Sequence, residues 1–144
     1  MAEIADHPPF DVAVVTPDGP VFSGEAHMLI VPGAAGEIGV LARHAPLVAT
    51  LKAGSTRVHL GGNEILEFAT GPGFFKVELG ALALVDDAVN VKEIDDSRAQ
   101  AQLDAAKAEL EKVEAGDSTA DRWQLEQRIR HAENQLSVSG RTTG

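Results

Sequence analysis

The chain has 144 residues and 44% hydrophobic content, enough for the core of one ordinary domain or of one small domain with an appendage. It has no cysteine, which excludes a disulfide framework, a thiolate metal site and a cysteine nucleophile. Its formal net charge of −10 disfavours nonspecific binding to nucleic acid or anionic lipid, because phosphate contacts need clustered lysines and arginines.

Residues 1–9 contain no basic stretch and no long apolar core, and we predict that this N-terminus is flexible. No segment of the chain approaches the roughly 20 apolar residues of a membrane span. The sequence therefore predicts neither export nor insertion into a membrane.

Residues 10–92 have the pattern of short strands separated by turns. The first strand is predicted at residues 10–16, which are enriched in β-branched side chains, and residues 17–20 form the turn that ends it. Residues 61–63 and 78–81 suit tight hairpins, because glycine and asparagine accept a positive φ. Short apolar runs recur at residues 21–22, 28–31, 48–51, 57–60, 64–69, 74–77 and 81–85. This spacing predicts a β sandwich or barrel.

The strand region offers little for catalysis. Residues 33–39 are rich in glycine but lack the GxGxxG and GxxxxGK[ST] spacings, so we assign them mainly to backbone turns. Ser23 does not lie in a GxSxG elbow. The five histidines are scattered without HxH or HExxH spacing, and no metal site is predicted. We predict no autonomous active site.

Residues 93–138 are predicted to form an antiparallel hairpin of two helices. Asp95 or Asp96 can cap the first helix, Gly116 can take the left-handed conformation that ends it, and Ser118 can cap the second. Apolar residues recur in steps of four and three, which places one narrow seam on each helix. The first seam comprises Ala99, Leu103, Ala106, Leu110 and Val113, and the second comprises Leu125, Ile129, Ala132 and Leu136. Residues 139–144 are predicted to be a flexible tail.

The second helix has a basic bias. Its arginines outnumber its acidic residues; they are Arg122, Arg128 and Arg130, with Arg141 beyond them. Two interpretations stay open: the arginines form local ion pairs on a solvated face, or the helix docks onto an acidic partner.

Several segments resemble the epsilon subunit of F-type, proton-translocating ATP synthases. Residues 16–25 resemble the first hairpin of that family, and residues 32–47 resemble its signature PG..GE.G.L..HAPL. Residues 71–77 are similar to its GG-F-x-V segment, with Pro72 in place of a glycine. Residues 93–99 are similar to its EIDxxRA helix start.

This resemblance, which covers residues 10–137, implies a sandwich of about ten strands in two sheets followed by a C-terminal helix hairpin. It implies a non-catalytic central-stalk (rotor) subunit that couples proton-driven rotation to ATP synthesis. The implied partners are the gamma subunit and the c-subunit ring, with the alpha and beta subunits reached by an extended hairpin that inhibits ATP hydrolysis. The implied location is peripheral, at the cytoplasmic face of the bacterial plasma membrane.

The resemblance also assigns partner-contact residues. It places Glu37 against the polar loop of the c subunits and His44 on the side that faces gamma and the c ring. The alternatives are a solvated turn carboxylate for Glu37 and a hydrogen-bonded loop residue for His44.

The hairpin carries two further expectations. Its seam alanines each bury roughly a kcal/mol less than leucine at about 25 cal/mol per Å². A contact this small leaves two hairpin arrangements close in free energy, so that binding of a ligand or partner can shift their populations. A permanently docked hairpin stays an alternative.

The resemblance implies no required cofactor but a regulatory ATP, held by Ile94, Asp95, Arg98 and Ala99, with Arg128 able to approach the same ligand. The alternative is that Asp95 caps the helix and Arg98 pairs with a nearby carboxylate.

Two other classes of function stay open at this point. An all-β interaction adaptor with a structural helix hairpin would share the strand pattern but would not explain the ordered motifs. A small hydrolase built on paired carboxylates would require distant residues to converge on a pocket.

Overall fold

The computed structural model describes residues 7–143, and the side chains of residues 7–140. The chain divides into two compact units, the first ending at Asn90 and the second beginning at Val91. The sequence had predicted this boundary between residues 92 and 93. Most of the predicted flexible N-terminus, residues 1–6, lies outside the described residues.

The first unit contains ten strands. In chain order they are β1 (Phe10–Thr16), β2 (Gly19–Ala26), β3 (Met28–Gly33), β4 (Gly36–Val40), β5 (Leu47–Leu51), β6 (Gly54–His59), β7 (Ile65–Thr70), β8 (Gly73–Val77), β9 (Ala81–Val85) and β10 (Ala88–Asn90). One layer has the strand order β4-β3-β6-β7-β10, and the other has the order β5-β8-β9-β1-β2. This arrangement confirms the predicted sandwich.

The two layers are hydrogen-bonded to each other along one edge, where β3 meets β5. Gly33 pairs with Leu51, and the Lys52 N–H donates to the Pro32 carbonyl at 2.9 Å. The sandwich is therefore partly closed in the manner of a barrel, which removes one exposed sheet edge.

The core lies between the layers and draws on both. Val14 of β1 and Phe75 of β8 are fully buried in the same cluster as Val58 of β6. Because side chains alternate across a strand, the residues directly before and after each of these three point away from the core. The buried hydroxyls of Thr56 and Thr70 lie 2.9 Å apart and hydrogen-bond to each other, so neither is left unsatisfied.

Two strands were missed in the sequence. Residues 33–39 are not mainly turns, because β3 continues to Gly33 and β4 begins at Gly36 after only two turn residues. Glycines at positions 36 and 39 lower the local strand propensity, and the pairing of β4 with β3 overrides it. β10 is only three residues long and depends on its pairing with β7.

The second unit is a helical hairpin preceded by a single 3-10 turn, Val91–Glu93. Helix α1 is Asp96–Glu114 and helix α2 is Arg122–Thr143. The Asp95 side chain accepts a hydrogen bond from the Arg98 backbone N–H at 3.1 Å, which confirms it as the N-cap of α1.

The end of α1 also follows the prediction. Gly116 has a φ of 81°, and its N–H donates to the Val113 carbonyl at 3.1 Å. The Asp117 N–H donates to the Lys112 carbonyl at 2.8 Å, which completes a Schellman motif.

The start and the end of α2 differ from the prediction. Asp121 is the cap, because its Oδ1 accepts from the N–H groups of Trp123 (2.9 Å) and Gln124 (3.3 Å). Ser118 instead donates to Glu109 at 2.6 Å and accepts from the Ala120 N–H.

The predicted tail, residues 139–144, begins inside a helix that continues to Thr143. Val138 is fully buried, so packing carries α2 past the glycine at position 140.

The corrected cap gives the first prediction. Asp121→Ala should destabilise the hairpin by about 1 kcal/mol, because two backbone N–H groups of α2 lose their acceptor. Asp121→Asn should retain most of the stability, since asparagine caps about as well as aspartate. Thermal unfolding followed by the helical circular-dichroism signal measures both. Equal losses in the two variants would show that the charge of Asp121, rather than its capping bonds, is what matters.

Candidate interaction surfaces

Glu37 lies at the start of β4, next to the turn that joins it to β3. Its side chain is 61% exposed, and its Oε2 accepts a bond from Nη2 of Arg57 on β6 at 2.8 Å. The turn requires glycine at position 33, because a Cβ there would lie only 2.6 Å from the Gly36 carbonyl oxygen. The Ala34 N–H donates to the Thr50 carbonyl at 2.9 Å, which joins the turn to β5. Glu37 is thus an exposed carboxylate beside a tight turn that is hydrogen-bonded to β5.

His44 lies in the loop between β4 and β5, beyond the opposite end of β4 from Glu37. It is half-buried, and its Nδ1 lies 2.7 Å from the carbonyl oxygen of Ala45. The preceding Arg43 has a φ of 65°, which turns the chain sharply at this point. β4 separates the two predicted contact residues, so they do not form one cluster.

The outer face of the β5-β8-β9 layer carries an apolar stripe that the sequence analysis did not identify. We define the stripe by Val48, Phe74 and Leu84, whose side chains are 74%, 62% and 47% exposed. Phe74 pairs directly with Leu84 on β9 and with Thr50 on β5, and Val48 lies two residues before Thr50 on the same face. Phe74 and Leu84 are therefore direct neighbours on the exposed face, and Val48 lies diagonal to Phe74 on the same face, beside Lys76.

A signal for this stripe is present in the sequence. In a strand that covers a core on one side, apolar and polar residues should alternate. Residues 74–75 are both phenylalanine, and residues 81–85 are apolar throughout, so apolar side chains fall on both faces of β8 and β9, with Lys76 interrupting the outer face of β8. Apolar side chains on both faces are typical of strands that are covered on both sides.

His59 is a titratable residue at the end of β6, two positions after Arg57. It is buried, and its Nε2 has no hydrogen-bond partner among the described residues. Burial lowers the pKa of the His59 imidazole below its ordinary value, and the nearby charge of Arg57 lowers it further. Its surroundings therefore disfavour the charged form of the His59 imidazole.

The hairpin residues assigned to ATP have different surroundings. Asp95 is occupied as the cap of α1, Ala99 is buried and Ile94 is half-buried. Arg98 is exposed, and its guanidinium forms no ion pair within the described part of the chain. The first turn of α1 thus offers one accessible cation.

Arg128 does not lie at the same level of the hairpin. The Arg122–Glu114 ion pair, 3.1 Å, sits next to the inter-helix loop, whereas Ser97 lines a groove with Leu136 at the other end. Positions 128 and 136 are eight residues apart, about 12 Å along a helix. The hairpin therefore does not bring Arg128 next to Arg98.

The basic bias of α2 is largely neutralised by local ion pairs. Arg122 donates to Glu126 at 3.0 Å, and Arg130 lies 3.7 Å from the same carboxylate. The hydrogen bond to Glu126 raises the pKa of the Arg122 guanidinium, and the charge of Glu114 raises it further. Arg128 is exposed, and within residues 7–140 its side chain has no ion-pair partner. The side chain of Arg141 lies outside the described residues.

Within residues 7–140, no group of three or more His, Asp or Glu side chains has a geometry that could hold a metal ion. None of the described helices is long and apolar enough to cross a membrane.

The two units together define a class of protein: a β sandwich followed by a helical hairpin. Residues 9–91 match the family model described as ATP synthase, Delta/Epsilon chain, beta-sandwich domain. The chain belongs to the ATP synthase epsilon-chain family. The resemblance found in the sequence is thereby confirmed.

Individual relatives cover the hairpin as well as the sandwich. The ATP synthase epsilon chain of Halalkalibacterium halodurans is 36% identical over 135 residues, which is 93% of this chain and 99% of the relative. That of Laribacter hongkongensis is 40% identical over 111 residues, 76% of this chain and 79% of the relative. The unrelated-adaptor alternative does not explain these matches.

Solved structures share the fold. A chain in the cryo-EM structure of the Euglena gracilis mitochondrial ATP synthase, OSCP/F1/c-ring in rotational state 1, matches with a TM-score of 0.68. It is 23% identical, and the match covers 92% of this chain and 82% of that one. A chain of the Tetrahymena thermophila mitochondrial ATP synthase central stalk and c ring matches with a TM-score of 0.54 and 12% identity, over 96% and 98% of the two chains.

Proposed function

We propose that this chain acts in the central stalk of an F-type ATP synthase, as a rotor subunit that couples proton-driven rotation to ATP synthesis. The observation that carries this function is the match to epsilon chains over nearly the full length of both proteins. Its partners are the gamma subunit and the c-subunit ring. The chain contributes no catalytic step and is peripheral, at the cytoplasmic face of the bacterial plasma membrane.

The apolar stripe of Val48, Phe74 and Leu84 is the surface that docks onto gamma. Exposed aromatic and aliphatic side chains that adjoin one another are costly to leave in water, and covering them drives protein association. The stripe lies on paired strands and needs no rearrangement to bind. Phe74, opposite Leu84 and between two neighbouring strands, is the central anchor.

Phe74→Ser should weaken the binding of this chain to gamma by about 2 kcal/mol, roughly thirtyfold, because it removes the aromatic anchor of the stripe. Ile65→Ser is the matched control, since Ile65 is also exposed, at 44%, but lies on β7 in the other layer. Titration of each variant against purified gamma-containing F1 lacking epsilon measures the affinity. Comparable losses in the two variants would contradict docking through the stripe.

The turn that carries Glu37 and the loop that carries His44 are further contact points. We propose that Glu37 meets the polar loop of the c subunits and that His44 faces gamma and the c ring. The exposure of the Glu37 side chain supports the first assignment.

The hairpin is the regulatory unit. We propose that it extends toward the alpha and beta subunits and inhibits ATP hydrolysis. Its existence as a separate compact unit, joined to the sandwich at Val91, supports movement as a body. The small buried residues Ala99, Ala106 and Ala132 limit the apolar area that holds any one arrangement. Arg128 is an exposed cation available to an acidic partner surface.

Ending the chain after Asp95 should raise ATP hydrolysis by the assembled enzyme, because the inhibitory helices are absent. The measurement is the hydrolysis rate of F1 reconstituted with the full or shortened chain, at equal epsilon content. Content is checked by gel so that failure to assemble is not mistaken for loss of inhibition. An unchanged rate at equal content would refute the inhibitory role.

A regulatory ATP at the start of α1 is a second proposal, supported by the exposed guanidinium of Arg98, which forms no ion pair within residues 7–140. In this arrangement Asp95 and Ala99 act by shaping the helix start rather than by touching phosphate. Arg128 belongs to the site only if the ligand spans the roughly 12 Å along α2 that separates Arg128 from the level of Arg98.

Calorimetry of the isolated chain with millimolar ATP should show binding that Arg98→Ala abolishes, since phosphate then loses its cation. Arg128→Ala should leave binding close to that of the unchanged chain, because Arg128 lies about 12 Å further along the hairpin. No heat from the unchanged chain would remove the nucleotide proposal. Loss of binding in both variants would return Arg128 to the site.

A further inference from the structure

The ion pair between Arg57 and Glu37 joins two residues that are twenty positions apart in the sequence and lie in the same layer of the sandwich. Arg57 lies on β6, and Glu37 lies on β4, with β3 between them. In the register, Arg57 pairs with Ile30, and Glu37 pairs with Pro32 two residues further along β3. The arginine therefore reaches diagonally across β3 to the carboxylate, where Nη2 and Oε2 meet at 2.8 Å.

The arginine is the more constrained partner of the pair. The Arg57 side chain is 34% exposed, compared with 61% for Glu37. Its Nε is buried and has no hydrogen-bond partner among the described residues, so the base of the guanidinium lies out of water while its Nη2 bonds to Glu37. Because the Arg57 guanidinium is partly buried, it has less freedom to move than the Glu37 carboxylate and is suited to orient it.

The acidic residue directly opposite Arg57 is Glu67 on β7. The Ser55 hydroxyl donates to Glu67 Oε2 at 2.5 Å. Ser55, Arg57 and Glu67 thus form a polar group on adjacent strands at the outer face, and Glu37 extends this group to the edge strand β4. No further strand pairs with β4 on its other side within the described residues, so this edge is open.

Glu37 retains one carboxylate oxygen for a partner. Oε2 is taken by Arg57, and Oε1 has no partner within the described part of the chain. The pairing of β4 with β3 holds the backbone of Glu37, and the bond to Arg57 favours one side-chain arrangement, which sets the direction of Oε1. A carboxylate oxygen presented in this way fits a hydrogen-bond donor, such as a backbone N–H, an amide or a guanidinium.

We propose that Arg57 is a positioning residue for Glu37: it holds Oε2 so that Oε1 points to a donor group on the polar loop of the c subunits. Arg57 makes no contact with the loop itself. The proposal rests on the proposed contact of Glu37 with the c subunits and adds the residue that orients it. The Glu37 side chain is 61% exposed, so its ion pair contributes little to the free energy of folding and the loss of the pair acts on coupling.

The test uses the assembled ATP synthase in inverted membrane vesicles and measures proton pumping per ATP hydrolysed. Glu37→Ala and Arg57→Ala should lower this ratio by about the same factor, on the order of threefold, and the double variant should be no worse than either. Arg57→Lys should restore part of the ratio, because lysine keeps the charge but not the planar donor geometry. Glu78→Ala, which breaks the exposed Lys76–Glu78 pair (3.1 Å), is the control and should pump normally.

The exchanged pair, Glu37→Arg with Arg57→Glu, separates positioning from simple stabilisation. A merely structural pair would be restored by the exchange, whereas an oriented carboxylate at the edge strand would not. Thermal unfolding of the isolated Glu37→Ala and Arg57→Lys variants should stay close to that of the unchanged chain, because lysine keeps the packing of the aliphatic stem.

Each contrary result has a distinct meaning. Normal coupling in Glu37→Ala would overturn the Glu37 contact itself. Loss of coupling in Glu37→Ala but not in Arg57→Ala would leave that contact standing and overturn the positioning role. A double variant worse than both single variants, or recovery in the exchanged pair, would also overturn it.

Discussion

The alternation of side chains on strands that share one core is the constraint on which the rest of this structure depends. Val14 and Phe75 are fully buried in the same cluster, so the residues beside them on each strand face outward. Phe74 is exposed because Phe75 is not, and Arg57 lies on the outer face because Val58 is in the core. The surfaces available to partners are therefore consequences of the packing inside.

The two layers present different chemistry through the same rule. The β5-β8-β9 layer exposes apolar side chains, which supply area for the proposed contact with gamma. The β4-β3-β6 layer exposes the Arg57–Glu37 pair, which supplies direction and charge rather than area. The two proposed contacts, with gamma and with the c ring, therefore use two chemically different surfaces.

The hairpin is organised by local chemistry to a greater degree than the sandwich. Asp95 and Asp121 cap the helix starts, Gly116 allows the turn, and Arg122 bonds to Glu114 across the loop end. These features need only nearby residues, which is why the hairpin forms a compact unit by itself. Because its apolar seam is small, the free energy that stabilises one arrangement of the hairpin is comparable to the binding free energy that a partner supplies.

Most of the strands, both helices and the family were predictable, because period-two alternation, helix caps and motif spacing are local properties. β4 and β10 were not predictable in this way. Their sequences, glycine-rich or only three residues long, form strands because β3 and β7 offer them backbone partners. The same holds for the end of α2, where buried Val138 carries the helix beyond the expected stop.

The properties of the candidate site also divide into those set by local sequence and those set by tertiary pairing. The sequence by itself determined that Glu37 stands in a signature turn, that Asp95 caps a helix and that the chain belongs to the epsilon family. Only the tertiary structure decided that Arg57, twenty residues away, bonds to Glu37, and that Arg128 lies apart from Arg98. It also decided that Phe74 and Leu84 adjoin in one exposed stripe. The physical reason is that these relations depend on strand register and helix pairing, which join residues distant in sequence, whereas caps, turns and alternation depend on neighbours.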